Sequence, residues 1–206
     1  AVDDSNTYSY FTDTVYRDVL KDLSSKYGIS KQAAEQKLLT GGYRIYATIN
    51  PKVQAVVDRI YSNPDNVPDT VSTQQLQSAI TIVDNATGDL IAIYGGVGEK
   101  EYPLSYNRAE ASLPTGSSVK PIAVYAPALD AGLITPATAI EDSPFYENTS
   151  WPQNDARSYS GMCLVLRGVT SSLNTISVKT LDKLGLQNSY DFLTQKLGIT
   201  TLVDHY

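Results

Sequence analysis

A serine and a lysine three positions apart are the residues of this sequence most suited to catalysis. Ser117 and Lys120 form the only Ser-x-x-Lys motif in the chain. On a helix, positions three apart share a face, so the serine Oγ and the lysine amine can meet. Partial desolvation near a helix start makes such a lysine less basic, and it can then accept the serine proton. Two interpretations are open from this pair alone: Ser117 is a nucleophile with Lys120 as its general base, or the two residues belong to a capped surface helix.

The scarcity of histidine and cysteine favours a lysine base over a histidine base. Cys163 is the only cysteine and His205 the only histidine among the 206 residues. A structural zinc site needs four cysteine or histidine ligands, so we expect no metal. A Ser-His-Asp triad would have to use His205, which lies close to the chain end. We therefore expect serine chemistry without metal or cofactor.

A second motif follows downstream of the serine-lysine pair. Ser172-Leu173-Asn174 has the Ser-x-Asn pattern that serine enzymes with a lysine in the first motif also carry. We predict that Ser172 relays protons between Lys120 and the leaving group, and that Asn174 binds both the lysine and the substrate backbone. Ser105-Tyr106-Asn107 has the same pattern but precedes the nucleophile, and we interpret it as a loop.

Two further residues are candidates for substrate binding. Trp151 and Asn154 lie in the segment before the second motif and could edge the substrate cleft. A tryptophan buried to anchor this segment is an equally good interpretation of Trp151. Cys163 is predicted to be a small buried apolar residue.

The elements that must position these residues are predicted to be mostly helical. Residues 1–42 have the apolar spacing of two helices, and Asn50-Pro51 has the cap and proline that open a third. A helical pattern resumes at Gly116 and continues to the end, except in a loop at about 135–163. Pro127 is expected to kink the first of these later helices about two turns beyond the motif lysine.

Two segments have the pattern of strands. Tyr43–Ile49 alternates apolar and polar residues, which predicts a half-buried strand. Ala79–Tyr94 reads as a hairpin, with apolar runs on either side of a turn-rich stretch at 84–88.

Several segments together resemble the transpeptidase domain of class A penicillin-binding proteins. The resemblance runs in order through most of residues 40–190, and it rests on the strand and helix start at 42–54, the hairpin at 84–96, Tyr106-Asn107-Arg108-Ala109, Pro114 to Pro121, and Leu166 to Asn174. It implies an α/β fold of the α+β type, in which a mainly antiparallel sheet, incomplete in this chain, is flanked by helices as in β-lactamases and transpeptidases. It also implies that residues 1–42 are a helical linker region and that 43–206 are the N-terminal part of the transpeptidase domain.

The resemblance implies roles for the motif residues as well. Ser117 would attack the penultimate D-Ala carbonyl of a peptidoglycan stem peptide, with its own backbone N–H as one oxyanion donor. Lys120 would be the general base, Ser172 would belong to the proton relay, and Asn174 would bind substrate. The acyl-enzyme would pass to an amine of a neighbouring stem, and β-lactams would trap Ser117. The expected location is the extracytoplasmic face of a bacterial cell membrane, with the anchor outside this chain.

The third motif of that family, Lys-Thr-Gly on a strand, is absent. Lys179-Thr180-Leu181 lacks the glycine and falls in a helical pattern. We therefore expect the missing strand to come from a second chain or a missing segment, and the 206 residues alone to be inactive.

Charge and composition restrict the alternatives. The net charge of −6 disfavours a nucleic-acid partner, and no apolar run is long enough to cross a bilayer. A β-lactamase or penicillin sensor on the same fold remains an alternative, although no obvious glutamate after Ser172 would activate a deacylating water. A non-catalytic cell-wall binding module, in which Ser117 merely caps a helix, is the third possibility.

Overall fold

The computed structural model describes residues 8–202. The chain divides into two compact units, Ala1–Leu113 and Pro114–Tyr206. The domain boundary predicted between residues 42 and 43 stays a prediction.

The first unit begins with the two predicted helices. Helix α1 spans Tyr10–Tyr27, α2 spans Lys31–Thr40 and α3 spans Pro51–Tyr61. Each starts where the sequence offers a capping side chain, because the oxygens of Ser9, Ser30 and Asn50 accept hydrogen bonds from first-turn N–H groups. A 3₁₀ turn follows at Pro64–Asn66.

The predicted hairpin is the centre of this unit. Strand β1, Ile80–Val83, pairs antiparallel with β2, Leu90–Tyr94, so that Ile80 lies opposite Tyr94. Helices α1 and α3 pack against β2, and their shared core contains Tyr10, Phe11, Val57, Ala92, Ile93 and Tyr94. Gln54 of α3 also bonds to both backbone polar groups of Ile93, at 3.0 Å each.

The strand predicted over Tyr43–Ile49 is wrong. This segment has no regular secondary structure and belongs to no sheet, and Tyr46 is 89% exposed. Only its end reaches β2: Thr48 Oγ1 donates to the carbonyl of Leu90 at 2.6 Å, and Asn50 N donates to that of Ile91 at 2.9 Å. The alternation is present, but no neighbouring strand within the unit covers its apolar face.

The second unit alternates short helices with a second hairpin. Its elements are α4 (Ala126–Asp130), β3 (Ala139–Asp142), β4 (Gly161–Leu164), α5 (Val165–Thr170), α6 (Asn174–Leu184) and α7 (Leu186–Asp191), with a 3₁₀ turn at Gly116–Val119 and π-helical turns at Pro121–Tyr125 and Phe192–Lys196.

The hairpin of β3 and β4 was not predicted, because it lies inside the segment interpreted as a loop. The two strands have four residues each, and a long connection replaces the tight turn that would mark a hairpin in sequence. Asp142 ends β3 and lies opposite Gly161.

The core of the second unit joins the helix after Lys120 to α6. Its buried members are Val124, Tyr125, Ala128, Ile134, Cys163, Val165 and Ile176. The predicted burial of Cys163 is confirmed, at 8% exposure. Helices and antiparallel hairpins thus make up both units, in agreement with the predicted α+β class. Over residues 8–202, no helix combines the length and hydropathy that a bilayer span requires.

Candidate active site

Ser117 lies in a tight turn on the surface of the second unit. Gly116 precedes it with a φ of 55°, a left-handed conformation that favours glycine. The 3₁₀ turn is closed by Lys120 N, which donates to the Ser117 carbonyl. The Ser117 side chain is exposed and, within residues 8–202, its hydroxyl has no hydrogen-bond partner. The neighbouring Ser118 hydroxyl, in contrast, donates to Thr115 O at 2.5 Å.

Lys120 is held by the second motif. Its Nζ donates to Ser172 O at 2.8 Å, to Ser172 Oγ at 3.1 Å and to Asn174 Oδ1 at 2.5 Å. Partial burial lowers the pKa of Lys120, because desolvation disfavours the ammonium form. The predicted meeting of the two motifs therefore exists in the structure, whereas the Ser117 hydroxyl lacks a direct hydrogen bond to Lys120. Hydrogen bonds of catalytic groups are often loose without substrate.

The helix after Lys120 is distorted closer to the motif than predicted. Pro127 has no N–H to donate, and the turn before it widens so that Ala126 N donates to Pro121 O, five residues back. The distortion occupies Pro121–Tyr125, immediately after the lysine, and α4 continues beyond it.

Ser172 sits at a strained point of the backbone. Its φ is 50°, a left-handed conformation that is unusual for a residue other than glycine. The turn between α5 and α6 is closed by Ser172 N to Val169 O at 3.1 Å and by Leu173 N to Gly168 O at 2.9 Å. This conformation directs the Ser172 carbonyl and hydroxyl at the same ammonium group.

Asn174 opens α6 and uses both ends of its side-chain amide. Oδ1 accepts from Lys120, and Nδ2 donates to Gln153 O at 2.6 Å. The predicted contact between Asn174 and the lysine is therefore present. The contact to Gln153 was missed, because nothing in the sequence signals a main-chain acceptor 21 residues away.

Asn154 and Trp151 lie near this site in different ways. Asn154 is 3% exposed, and its Oδ1 accepts from the backbone N–H of Asn174 at 2.9 Å. Trp151 is 51% exposed and stacks on Tyr146, so the alternative of a buried anchor is wrong. Trp151 also lines a 430 Å³ pocket that includes Lys120 and Asn174.

Side chains that could bind a metal are dispersed in the described part of the chain. Residues 8–202 contain no group of three or more histidine, cysteine, aspartate or glutamate side chains that could hold a metal ion. Cys163 is buried and unpaired, and burial raises the pKa of its thiol. His205 lies outside the described residues.

Comparisons with known proteins identify the family of this chain. The model of the penicillin binding protein transpeptidase domain matches residues 78–204, more than half of the chain. Penicillin-binding protein 1A of Clostridium acetobutylicum is 35% identical over 212 residues, covering 94% of this chain and 26% of that protein. The protein of the same name from Streptococcus oralis is 34% identical over 209 residues, covering 98% of this chain and 31% of that protein.

Solved structures agree on the fold. The PonA1 protein of Mycobacterium tuberculosis in complex with penicillin V superimposes with a TM-score of 0.70 at 24% identity, over 94% of this chain and 48% of that chain. The likeness at this identity confirms the transpeptidase-like fold. The curated relatives are three to four times longer than the matched chain. The family model matches most of the second unit, and the Ser-x-x-Lys and Ser-x-Asn motifs contact each other within that unit. The chain therefore belongs to the penicillin-binding protein transpeptidase domain family.

Proposed function

We propose that this chain contributes the nucleophile, base and proton relay of a peptidoglycan D,D-transpeptidase that works through a Ser117 acyl-enzyme. The observation that carries the proposal is the contact of Lys120 Nζ with Ser172 Oγ, at 3.1 Å, beside an exposed Ser117. Family membership supplies the reaction class.

The acylation step follows from these positions. Neutral Lys120 takes the Ser117 proton as Oγ bonds to the penultimate D-Ala carbonyl carbon. Collapse of the tetrahedral intermediate breaks the C–N bond, and the departing D-Ala amine receives a proton from Lys120 through the Ser172 hydroxyl. A lowered pKa of Lys120 enlarges its neutral fraction and so favours the first transfer.

The second half-reaction returns Ser117 to its free form. The amine of a neighbouring stem peptide loses a proton to the same relay and attacks the ester carbonyl. An amide bond forms, the serine ester breaks, and the departing Ser117 Oγ takes the proton back from Lys120. A β-lactam amide would be attacked in the same way, and its ring-opened ester would block the amine. PonA1, the structural neighbour solved with penicillin V, gives this β-lactam reaction its support.

Substrate contacts are proposed for Asn174 and Trp151. Asn174 Nδ2 donates one hydrogen to Gln153 O in the structure and would donate its second hydrogen to a substrate carbonyl. The exposed Trp151 ring would form one wall of the cleft, in the pocket that it shares with Lys120. Asn154 has no free amide group to offer a substrate, because its NH₂ group donates to Asp142 and Ser158 and its oxygen accepts from Asn174 N.

The remaining parts are proposed to lie outside these residues. The Lys-Thr-Gly motif is absent from the sequence, so a strand from another segment or chain would complete the cleft. The proposed location is the extracytoplasmic face of a bacterial cell membrane, where stem peptides are found.

Labelling with a fluorescent penicillin tests the proposal. The natural polypeptide that contains these 206 residues should form a stable adduct, Ser117→Ala should abolish it, and Ser118→Ala should leave it. Ser118 is the matched control, because it is an exposed neighbouring hydroxyl bonded only to the local turn.

Other outcomes separate the alternatives. An adduct that turns over within seconds would assign a β-lactamase. No labelling, or equal labelling of Ser117→Ala, would assign a non-catalytic module and overturn the proposal. The isolated 206 residues should remain unlabelled, and labelling there would contradict the requirement for an external third motif.

A further inference from the structure

A buried carboxylate lies behind the active site and is used by none of the steps above. Asp142, at the end of β3, is 1% exposed. Its two oxygens accept four hydrogen bonds, from Thr175 Oγ1 at 2.6 Å, Ser160 N at 2.8 Å, Ser160 Oγ at 2.7 Å and Asn154 Nδ2 at 2.7 Å. Within residues 8–202 it has no ion-pair partner. Burial opposes its charge, but the hydrogen bonds from Thr175, Ser160 and Asn154 outweigh that effect and lower its pKa to about 2.

This carboxylate decides which way the Asn154 amide faces. A carboxylate only accepts hydrogen bonds, so Asn154 must present its NH₂ group to Asp142. The same NH₂ group donates to Ser158 O at 3.1 Å. Asn154 Oδ1 is thereby turned toward α6, where it accepts from Asn174 N at 2.9 Å and from Thr175 N at 3.4 Å.

Asn154 thus performs the capping that α6 cannot supply for itself. The first N–H groups of a helix lack intrahelical partners. The residue before α6 is Leu173, whose side chain has no acceptor, and it makes no capping hydrogen bond. Asn154 reaches across from another segment to satisfy the first two N–H groups of α6.

Asn174 is therefore fixed at both its backbone and its side chain by one loop. Its N–H bonds to Asn154, and its Nδ2 bonds to the adjacent Gln153 carbonyl. The only remaining polar end, Oδ1, points at Lys120 Nζ. The position and the orientation of Asn174 Oδ1 are therefore set by the loop that Asp142 holds in place.

We propose that Asp142 and Asn154 are positioning residues that hold Asn174 Oδ1 against Lys120, a role that rests on the acylation chemistry proposed above. They touch neither the nucleophile nor a substrate, and they act through Asn174. Their removal would leave Ser117, Lys120 and Ser172 in place but would release one of the three acceptors of the ammonium group.

The predicted consequence has a direction in pH. An acceptor for the ammonium favours the protonated form, so losing it lowers the pKa of Lys120 further. The described side chains that line its pocket are all neutral, namely Val124, Trp151, Pro152, Gln153, Asn174, Ser177, Val178 and Leu181, and Ser172 contacts Nζ from the turn. No neighbouring charge among them masks the effect. The acidic limb of the pH–rate profile for acylation should therefore move to lower pH.

The experiment measures penicillin acylation by stopped flow in the natural polypeptide that contains this chain. Asn154→Ala should lower the first-order acylation constant by about 100-fold, the scale of a misplaced catalytic group, while the binding constant of penicillin changes much less. Its acidic limb should shift to lower pH. Asp142→Asn, which keeps the side-chain volume, should show both effects more weakly.

Thr175→Val is the matched control. It removes an equally buried hydrogen bond to Asp142 but leaves the link from Asp142 through Asn154 to Asn174. We expect it to lower the unfolding midpoint without moving the pH limb. The inference would be overturned if Asn154→Ala had the same acylation rate, and the same acidic limb of its pH–rate profile, as Thr175→Val. An unreactive wild-type protein would instead overturn the proposed function itself.

A measurement on the wild-type protein tests the positioning role even if the variants do not fold. Amide hydrogen exchange at Asn174 should be as slow as in the middle of α6, because Asn154 occupies that N–H. Exchange at the rate of an exposed helix end would contradict the positioning role.

Discussion

Gly168 of α5 faces Ile176 of α6 at a contact that leaves no room for a side chain. A Cβ added at Gly168 would lie 2.6 Å from Ile176 Cγ2 and 3.0 Å from its Cβ. Ordinary carbon contacts lie at roughly 3.5–4.0 Å, so α5 and α6 would have to separate by about 1 Å. The connection between these helices carries Ser172, whose carbonyl and hydroxyl hold Lys120.

The cost of Gly168→Ala can be estimated from this geometry. Overpacking a core contact costs about 1–3 kcal/mol, and the gain in helix propensity returns about 1 kcal/mol. We expect a net loss of about 1 kcal/mol in the free energy of unfolding. Because the strain falls on the Ser172 turn, the acylation rate should fall by about 100-fold, far more than the loss of stability would suggest.

Urea unfolding and penicillin acylation would measure the two effects separately. The double variant Gly168→Ala/Ile176→Ala is the control, since removing Cγ2 makes room for the new methyl group. It should lose at least about 1 kcal/mol less than the sum of the single variants. A Gly168→Ala protein as stable and as reactive as the wild type, with additive effects in the double variant, would refute the packing argument.

Three further predictions concern single residues. Ser172→Gly should be about 1 kcal/mol more stable than Ser172→Ala in urea unfolding, because only glycine adopts a φ of 50° without strain, although both variants lose the side-chain hydroxyl; equal stabilities would contradict the strain. Asp142 should stabilise the fold above its unfolded pKa near 3.8 and lose that contribution, about 2 kcal/mol, as the pH falls toward its folded pKa of about 2. Urea midpoints measured from pH 5 to pH 2 should show this loss in the wild type and not in Asp142→Asn. Gln54→Leu should cost the first unit about 2–4 kcal/mol, since it leaves the N–H and C=O of Ile93 without partners. A loss below about 0.5 kcal/mol, the low end for a single hydrogen bond, would show that water replaces the glutamine.

The sequence predicted local features well because their causes are local. Ser30 and Asn50-Pro51 mark helix starts through capping chemistry, and both helices begin where these residues predict. The hairpin ending at Tyr94 was predicted for the same reason, from two apolar runs around a turn-rich stretch. The meeting of Lys120 with Ser172 and Asn174 was predicted from motif order, and its distances confirm it.

What the sequence could not supply depends on contacts between distant residues. The alternation in Tyr43–Ile49 is typical of a strand, but strand pairing needs a neighbour, and the first unit offers none there. The hairpin of β3 and β4 pairs residues about twenty positions apart, without a turn signal. Asp142 resembles any other acidic residue in the sequence, and only the folded chain surrounds it with Asn154, Ser160 and Thr175.

The central claim is that Ser117 forms the acyl-enzyme with Lys120 as its base. Peptide mapping by mass spectrometry, after brief exposure of the natural polypeptide to penicillin, tests it most directly. We predict one penicilloyl group on Ser117, formed slowly or not at all in Lys120→Ala. An adduct on another residue, or an adduct on Ser117 formed at the wild-type rate without Lys120, would contradict the account.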